Sequence, residues 1–425
     1  MNSFADSVSA SAMPAAAAQA APVATEQPAL SRAVVWLAAL ASGLAVANVY
    51  YAQPLLDVIA DTFALPRATI GIVVMLTQVG YGIGLLALVP LGDLLDRRRL
   101  IIGQSLLSVA ALAVVARAPN GVVFLAGMAA VGVLAVVTQM HVAHVSALAA
   151  STERGRVVGT VTSGIITGIL LARAVSGALS DHFGWRAVYI AAAAVNLAVV
   201  LLLVKALPAQ RSVSRRIGYF ALVGSVLTLF AQERVLRVRA ALALLIFMAI
   251  TVLWTPMALA LRAPPLALSH AEIGAFGFAG VLGALGASRS GRLADRGLAQ
   301  RTTGMALVLM LLAWLPAALL PHSLWGLIVG VVVIDFGLQS VHVANQSLIY
   351  RVRPEAQSRL TAGYMVFYSI GCALGSIVST LVFDRAGWLG VCALGASISA
   401  VALLFWALTR SPRSALSAGQ PSPAP

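Results

Sequence analysis

Asp335, Gln339, His342 and Asn345 or Gln346 fall at i, i+4, i+7 and i+10 or i+11 of an otherwise apolar run, so a helix would align four of them along one face. An acid, two amides and an imidazole in register suit a water-filled lining that handles protons and a polar solute. The alternative is a helix contact sewn together by hydrogen bonds. Arg173 stands in a second apolar run, and an ionisable side chain at bilayer depth costs roughly 2.5 to 3.5 kcal/mol on insertion scales. Three roles stay open for it: contact with an anionic substrate, neutralisation of Asp335, or a fixed pair with another buried acceptor. A shorter strip, Thr138, His141 and His144, repeats at spacings of three. Asn48 and Tyr51 share a face of the first run, with Tyr50 and Tyr51 also suited to interfacial anchoring. Gln53-Pro54 follows, where proline removes an amide donor and should interrupt the helix. The candidate substrate and proton pathway is therefore Asn48, Tyr51, Gln53, His141, Arg173, Asp335, Gln339, His342 and Asn345.

The elements that must position these groups follow from composition. Of 425 residues, 60% are hydrophobic and 10% charged, and a mean hydropathy of +0.94 is incompatible with a soluble, polar-surfaced fold. Apolar runs lie near 33–56, 69–91, 100–118, 121–148, 157–180 and 186–207, then near 240–262, 271–288, 302–320, 324–349, 360–383 and 388–409. The expected fold is an all-α integral membrane protein of twelve transmembrane helices in two six-helix halves. Its divisions are a tail at 1–32, a first half at 33–207, a linker at 208–239, a second half at 240–409 and a second tail at 410–425. Residues 1–30 have no cationic start or apolar core of a signal peptide and read as a disordered tail. Within the linker, Ile217–Ala231 is apolar but short and is flanked by basic residues, so it reads as an interfacial or a buried linker helix.

Charge fixes an expected orientation. With both termini in the cytoplasm, 22 of the 28 lysines and arginines fall inside, five (Arg67, Arg117, Arg186, Arg262 and Arg385) fall outside, and Arg173 lies within a span. The net charge of +14 thus reflects topology, not nucleic-acid binding, because the arginines are scattered and form no basic face.

The chain also repeats itself. Gly92-Asp93-Leu94-Leu95-Asp96-Arg97 after the second run recurs as Gly291-Arg292-Leu293-Ala294-Asp295-Arg296 after the eighth. Glu153 and Arg156 recur as Glu355 and Arg359, and Asp181, Gly184 and Trp185 as Asp384, Gly387 and Trp388. Landmarks in one order at a nearly constant offset imply duplicated halves enclosing a midplane site.

The G-x-L-x-D-R pattern on both loops, in a six-plus-six layout over about 33–409, resembles the major facilitator superfamily. Asn48–Leu56, Glu153-Arg154-Gly155-Arg156 and Asn345-Gln346-Ser347 are similar to a subgroup of drug:proton antiporter-like efflux permeases. Where such antiporters carry G-x-x-x-G-P-x-x-G-G on the fifth helix, this chain has Gly164, Gly168, Ile169, Ala172 and Arg173, and the fourth helix lacks their arginine. The resemblance implies a monomer in the bacterial inner membrane, performing proton-coupled efflux of a drug or metabolite by alternating access. Uptake symport and a non-transporting sensor are the alternatives. It further implies a cytoplasmic gating motif of Gly92, Asp96, Arg97, Gly291, Asp295 and Arg296, whose aspartates accept from amides at a neighbouring helix start. Gly164-x-x-x-Gly168 and Gly371-x-x-x-Gly375 read as packing between halves.

No nucleophile-and-base pair or metal-ligand cluster stands at usable spacing, Cys372 and Cys392 read as packing residues, and the sole lysine, Lys205, lies in no phosphate-binding loop. Neither an enzyme nor an ATP-driven pump is expected, and no cofactor; the partners are a small solute, protons and the bilayer.

Overall fold

Side chains that are apolar on every face leave the backbone no water to bond, so each run must satisfy its own amides as a helix. In the computed structural model the described residues are 31–150, 153–208, 218–280, 289–293, 296–353 and 356–410, with the side chains of 93 and 358 set aside. Every regular element among them is helical.

In the first half, α1 (Arg32–Tyr50) runs through a 3-10 turn, Gln53–Leu55, into α2 (Leu56–Phe63), so the break falls at Pro54. There follow α3 (Ile72–Ala87), α4 (Leu91–Leu94), α5 (Arg97–Ala116), α6 (Gly121–Ala135), α7 (Val137–Leu148), α8 (Arg154–Phe183) and α9 (Trp185–Ala206). The linker helix is α10 (Tyr219–Gln232). The second half holds α11 (Arg234–Arg262), α12 (His270–Ala275), α13 (Ala299–Leu312), α14 (Trp314–Ala317), α15 (Leu324–Tyr350) and α16 (Gln357–Thr409).

Among the described residues nine stretches are long and apolar enough to cross a membrane. The last is two helices that turn at Gly387, and the α13–α14 pair adds a further one among the described residues. Large apolar residues such as Trp36, Leu40, Ile83, Leu201 and Leu404 face outward, as a lipid-facing surface requires. The bundle has two ends: a linker face, where α10 lies beside the starts of α11 and α16, and a distal face, where α2, the end of α8 and α12 meet.

Two expectations change. α11 begins at Arg234, not near 240, and Arg239, counted above as a loop charge, is a helical residue only 5% exposed. The small-residue motifs pack within halves, not between them. A Cβ at Gly164 or Gly168 would meet the backbone of Ala39 or Gly43 on α1, and one at Gly371 or Gly375 that of Leu244 or Met248 on α11. The two pairs are pseudo-equivalent, first helix against fifth and seventh against eleventh, so the motif holds each half together.

The Gly-Trp landmark has a local cause. Gly184 (φ 81°) and Gly387 (φ 60°) take the left-handed backbone that ends one helix and starts the next. Trp185 and Trp388 then turn inward, their indole N–H groups donating to Thr62 Oγ1 at 3.1 Å and to the Ala317 carbonyl at 2.8 Å. The Pro119-Asn120-Gly121 turn is fixed by the Asn120 side chain, which accepts from the Val123 amide at 3.0 Å.

Candidate transport site

Arg173 and Asp335, on α8 and α15, meet at one indole. The Arg173 guanidinium lies over the Trp254 ring, 3.8 Å from its centroid, and Trp254 Nε1–H points to Asp335 Oδ1 at 3.5 Å. Among the described residues the two charges form no direct ion pair; Trp254 of α11 stands between them. Arg173 also donates from Nε to Gln53 Oε1 at 2.8 Å and lies 5.1 Å from the Tyr50 ring. Arg173, Gln53 and Asp335 are all buried, so each polar group is held by a specific partner and not by bulk water. Pro256, inside α11, withholds an amide two residues from Trp254.

From this joint an aromatic series runs toward the linker face. Tyr50 and Tyr368 share a hydrogen bond of 2.9 Å across the two halves. The Tyr368 ring packs edge-on against Phe247 (4.2 Å) and Tyr81 (6.2 Å), and Tyr81 Oη accepts from Gln139 Nε2 at 3.4 Å. Phe247 meets His342, whose Nδ1 lies 2.9 Å from Tyr364 Oη. Farther along α15, Asn345 Oδ1 accepts from Arg239 NH1 at 3.4 Å, leaving Asn345 Nδ2 and Arg239 Nε without a partner among the described residues. Asp335, His342 and Asn345 thus engage residues of α11 and α16 along one seam, while Gln339 makes no hydrogen bond to another described residue.

The other pathway candidates fall elsewhere. Tyr51 packs in the core of the first half, and it is Tyr50 that reaches the seam. Asn48 is buried, its Oδ1 accepting from Asn196 Nδ2 at 3.4 Å, and its Nδ2 has no partner among the described residues. His141 lies 3.2 Å from Ser42 Oγ through Nδ1, inside the first half.

At the loop motif, Asp96 caps its own helix, accepting from the Arg98 amide at 2.9 Å, where acceptance from a neighbouring helix was expected. Its extended backbone at the start of α5 places the carboxylate over that helix's free amides, the nearest donors available. Arg97 donates to the carbonyls of Gly92 (2.8 Å) and Ala143 (3.5 Å), tying the loop to α7. Gly92 is buried close to Met140, where a Cβ would crowd the sulfur. Gly291 faces Val343 and Arg296 is exposed; Asp295 lies outside the described residues.

The sequence reading passed over a polar cluster at the distal face. His270 presents Nδ1 to Asp181 Oδ1 at 2.7 Å and Nε2 to Asp57 at 3.1 and 3.2 Å, while Arg262 Nε donates to Asp57 Oδ2 at 3.0 Å. Between described residues, all three ion pairs that join the halves belong to this cluster. Its signals in the sequence were Asp181, which stands in the internal repeat, and charges at the ends of apolar runs, which topology explains equally well.

The sequence model of the Major Facilitator Superfamily matches residues 35–309 and 243–424. The chain belongs to this superfamily. It is 45% identical over 377 residues to the uncharacterized transporter YgaY of Escherichia coli O157:H7, covering 89% of this chain and 95% of that one. It is 32% identical over 371 residues to the probable transporter SCO4007 of Streptomyces coelicolor, covering 86% and 85%. The crystal structure of the nucleoside transporter NupG superimposes with a TM-score of 0.72 at 14% identity, covering 89% and 100%. A major facilitator fold of twelve helices is thereby established, and the chain is a multi-pass membrane transporter of this type.

Proposed function

We propose that the protein exports a small organic solute by proton-coupled alternating access, at the bacterial inner membrane, with the linker face and both termini in the cytoplasm. One observation carries the reading: Trp254 joins Arg173 of the first half to Asp335 of the second at the seam between them. A charge pair bridged by one indole responds to both ligands. A proton on Asp335 removes the negative end, and a solute entering the seam competes for the indole face and for Gln53. Tyr50, Phe247, Tyr364 and Tyr368 supply the apolar and aromatic walls suited to a planar or amphipathic organic molecule.

Gln339 and His342 extend this pathway, and Asn345 with Arg239 forms its linker-side end. Arg97 and Asp96, held to Gly92, Ala143 and the start of α5, act as the cytoplasmic latch of the first half, with Gly291 and Arg296 as their repeat counterparts. Export rests on the resemblance of Asn48–Leu56, Glu153-Arg154-Gly155-Arg156 and Asn345-Gln346-Ser347 to efflux permeases.

The test is purified protein in proteoliposomes loaded with a pH dye and challenged with lipophilic cations, sugars, amino acids and organic anions. Proton movement opposite to the solute, evoked by one class and absent from empty vesicles, is expected. Proton movement in the same direction as the solute would replace export by uptake, and solute movement without protons would remove the coupling.

A further inference from the structure

His270 is the first residue of α12, just ahead of the eighth span, and is 8% exposed. Both its ring nitrogens face carboxylates of the opposite half: Nδ1 lies 2.7 Å from Asp181 Oδ1, and Nε2 lies 3.1 Å from Asp57 Oδ1. An ionised carboxylate only accepts, and a neutral imidazole carries one N–H. Only the doubly protonated ring can donate to both partners at once. We propose that His270 is a proton-binding site, separate from the central seam, whose bound proton clamps the distal face shut by tying Asp57 of α2 and Asp181 of α8 to α12.

The charge inventory agrees. Arg262, from the end of α11, donates to Asp57 at 3.0 Å and to the Leu268 carbonyl at 3.1 Å. With His270 protonated, the two cations balance the two carboxylates; without the proton a ring lone pair faces a carboxylate and the cluster is left with excess negative charge. Glu272, on the same helix as His270, is occupied in capping Ser269, while Asp61 of α2 pairs with Arg67 and His182 of α8 is exposed. The His270 and Ala271 amides donate to Asp181 at 3.2 and 2.7 Å whatever the state of the ring, so the proton controls part of the closure and the α12 backbone supplies the rest. Backbone contact is close here too: a Cβ at Gly177 would strike the His270 carbonyl, and one at Gly274 that of Arg173.

The Asp57 hydrogen bond, reinforced by Asp181, raises the His270 pKa above the ordinary histidine range against the opposing effect of burial. The sign follows. The closed face holds the proton more tightly than an open face with its carboxylates withdrawn. Closure is thus fully supported below the ordinary histidine pKa and loses that support as pH rises through the raised value.

The proposal rests on alternating access but not on any substrate, so its test needs no flux. Spin labels at Val122→Cys and Trp325→Cys, exposed at the distal ends of α6 and α15 on opposite halves, report the opening, while Cys372 and Cys392 are buried. Distances in liposomes are followed from about pH 5 to about pH 9, spanning the histidine range. The wild-type distribution is expected to lengthen with rising pH, His270→Gln to be long and pH-independent, and His270→Lys, charged throughout, to stay short. A pH-invariant wild type, or His270→Gln titrating with the wild-type midpoint, would overturn the proposal. If His270→Gln fails to reach the membrane, His270→Lys decides: opening at the wild-type midpoint would assign the titration to another group. A pH-driven distance change in a protein that moves no solute would leave the clamp standing and remove the export reading alone.

Discussion

The contacts inside each half and the contacts between halves differ in the polar chemistry that is added to close packing. Inside, α1 lies on α8 and α11 on α16 through glycines too close to a neighbouring backbone to accept a Cβ. Between halves, glycines also meet a facing backbone, Gly71 at Ser376 and Gly177 at His270, but the distal cluster adds ion pairs, and the seam adds a hydrogen-bonded pair of tyrosines and an arginine stacked on a tryptophan. Packing of the first kind has a single fit and fails when forced. Contacts of the second kind exchange for water, protons or a ligand at small net cost. Two rigid bodies joined by exchangeable polar contacts are what alternating access requires.

The largest effect should come from breaking the rigid kind. Gly168→Leu forces a side chain into the Gly43 backbone and is expected to abolish monodisperse protein after detergent extraction, whereas Gly159→Leu, with open space around its Cβ position, should leave the elution profile unchanged. Next, Trp254→Leu removes both the ring under Arg173 and the donor to Asp335; transport should fall by at least about tenfold, with membrane abundance near wild type. Gln53→Ala strips Arg173 of its one hydrogen-bonded side-chain acceptor among the described residues and should weaken solute affinity by about five- to fiftyfold, read as KM in vesicles. The smallest change is expected for Asn120→Ala, which removes a helix cap far from the seam and should cost about 1 kcal/mol of stability with transport intact.

Much of the fold was legible because the bilayer enforces it. Runs long enough to cross, the turn at Pro119-Asn120-Gly121 and the Gly184-Trp185 and Gly387-Trp388 corners are local consequences of composition and of glycine's freedom at positive φ. The start of α11 was hidden because Arg234, Arg237 and Arg239 look like loop charges, yet Arg239 is buried through its bond to Asn345. The ionisable members of the seam declared themselves by the cost of burying charge, which is why Arg173 and Asp335 stood out. Trp254, Tyr50 and Tyr368 did not, since an aromatic residue in an apolar run reads as core until its neighbours are known. His270 was harder still: its significance depends on carboxylates 89 and 213 positions away.

The most direct measurement is made on Asp335→Asn, which keeps the size and the acceptor for Trp254 but cannot exchange a proton. In proteoliposomes this variant should still exchange labelled for unlabelled solute across the membrane at a rate near wild type, while losing solute accumulation driven by a pH gradient. Undiminished pH-driven accumulation in Asp335→Asn would contradict proton coupling through the seam.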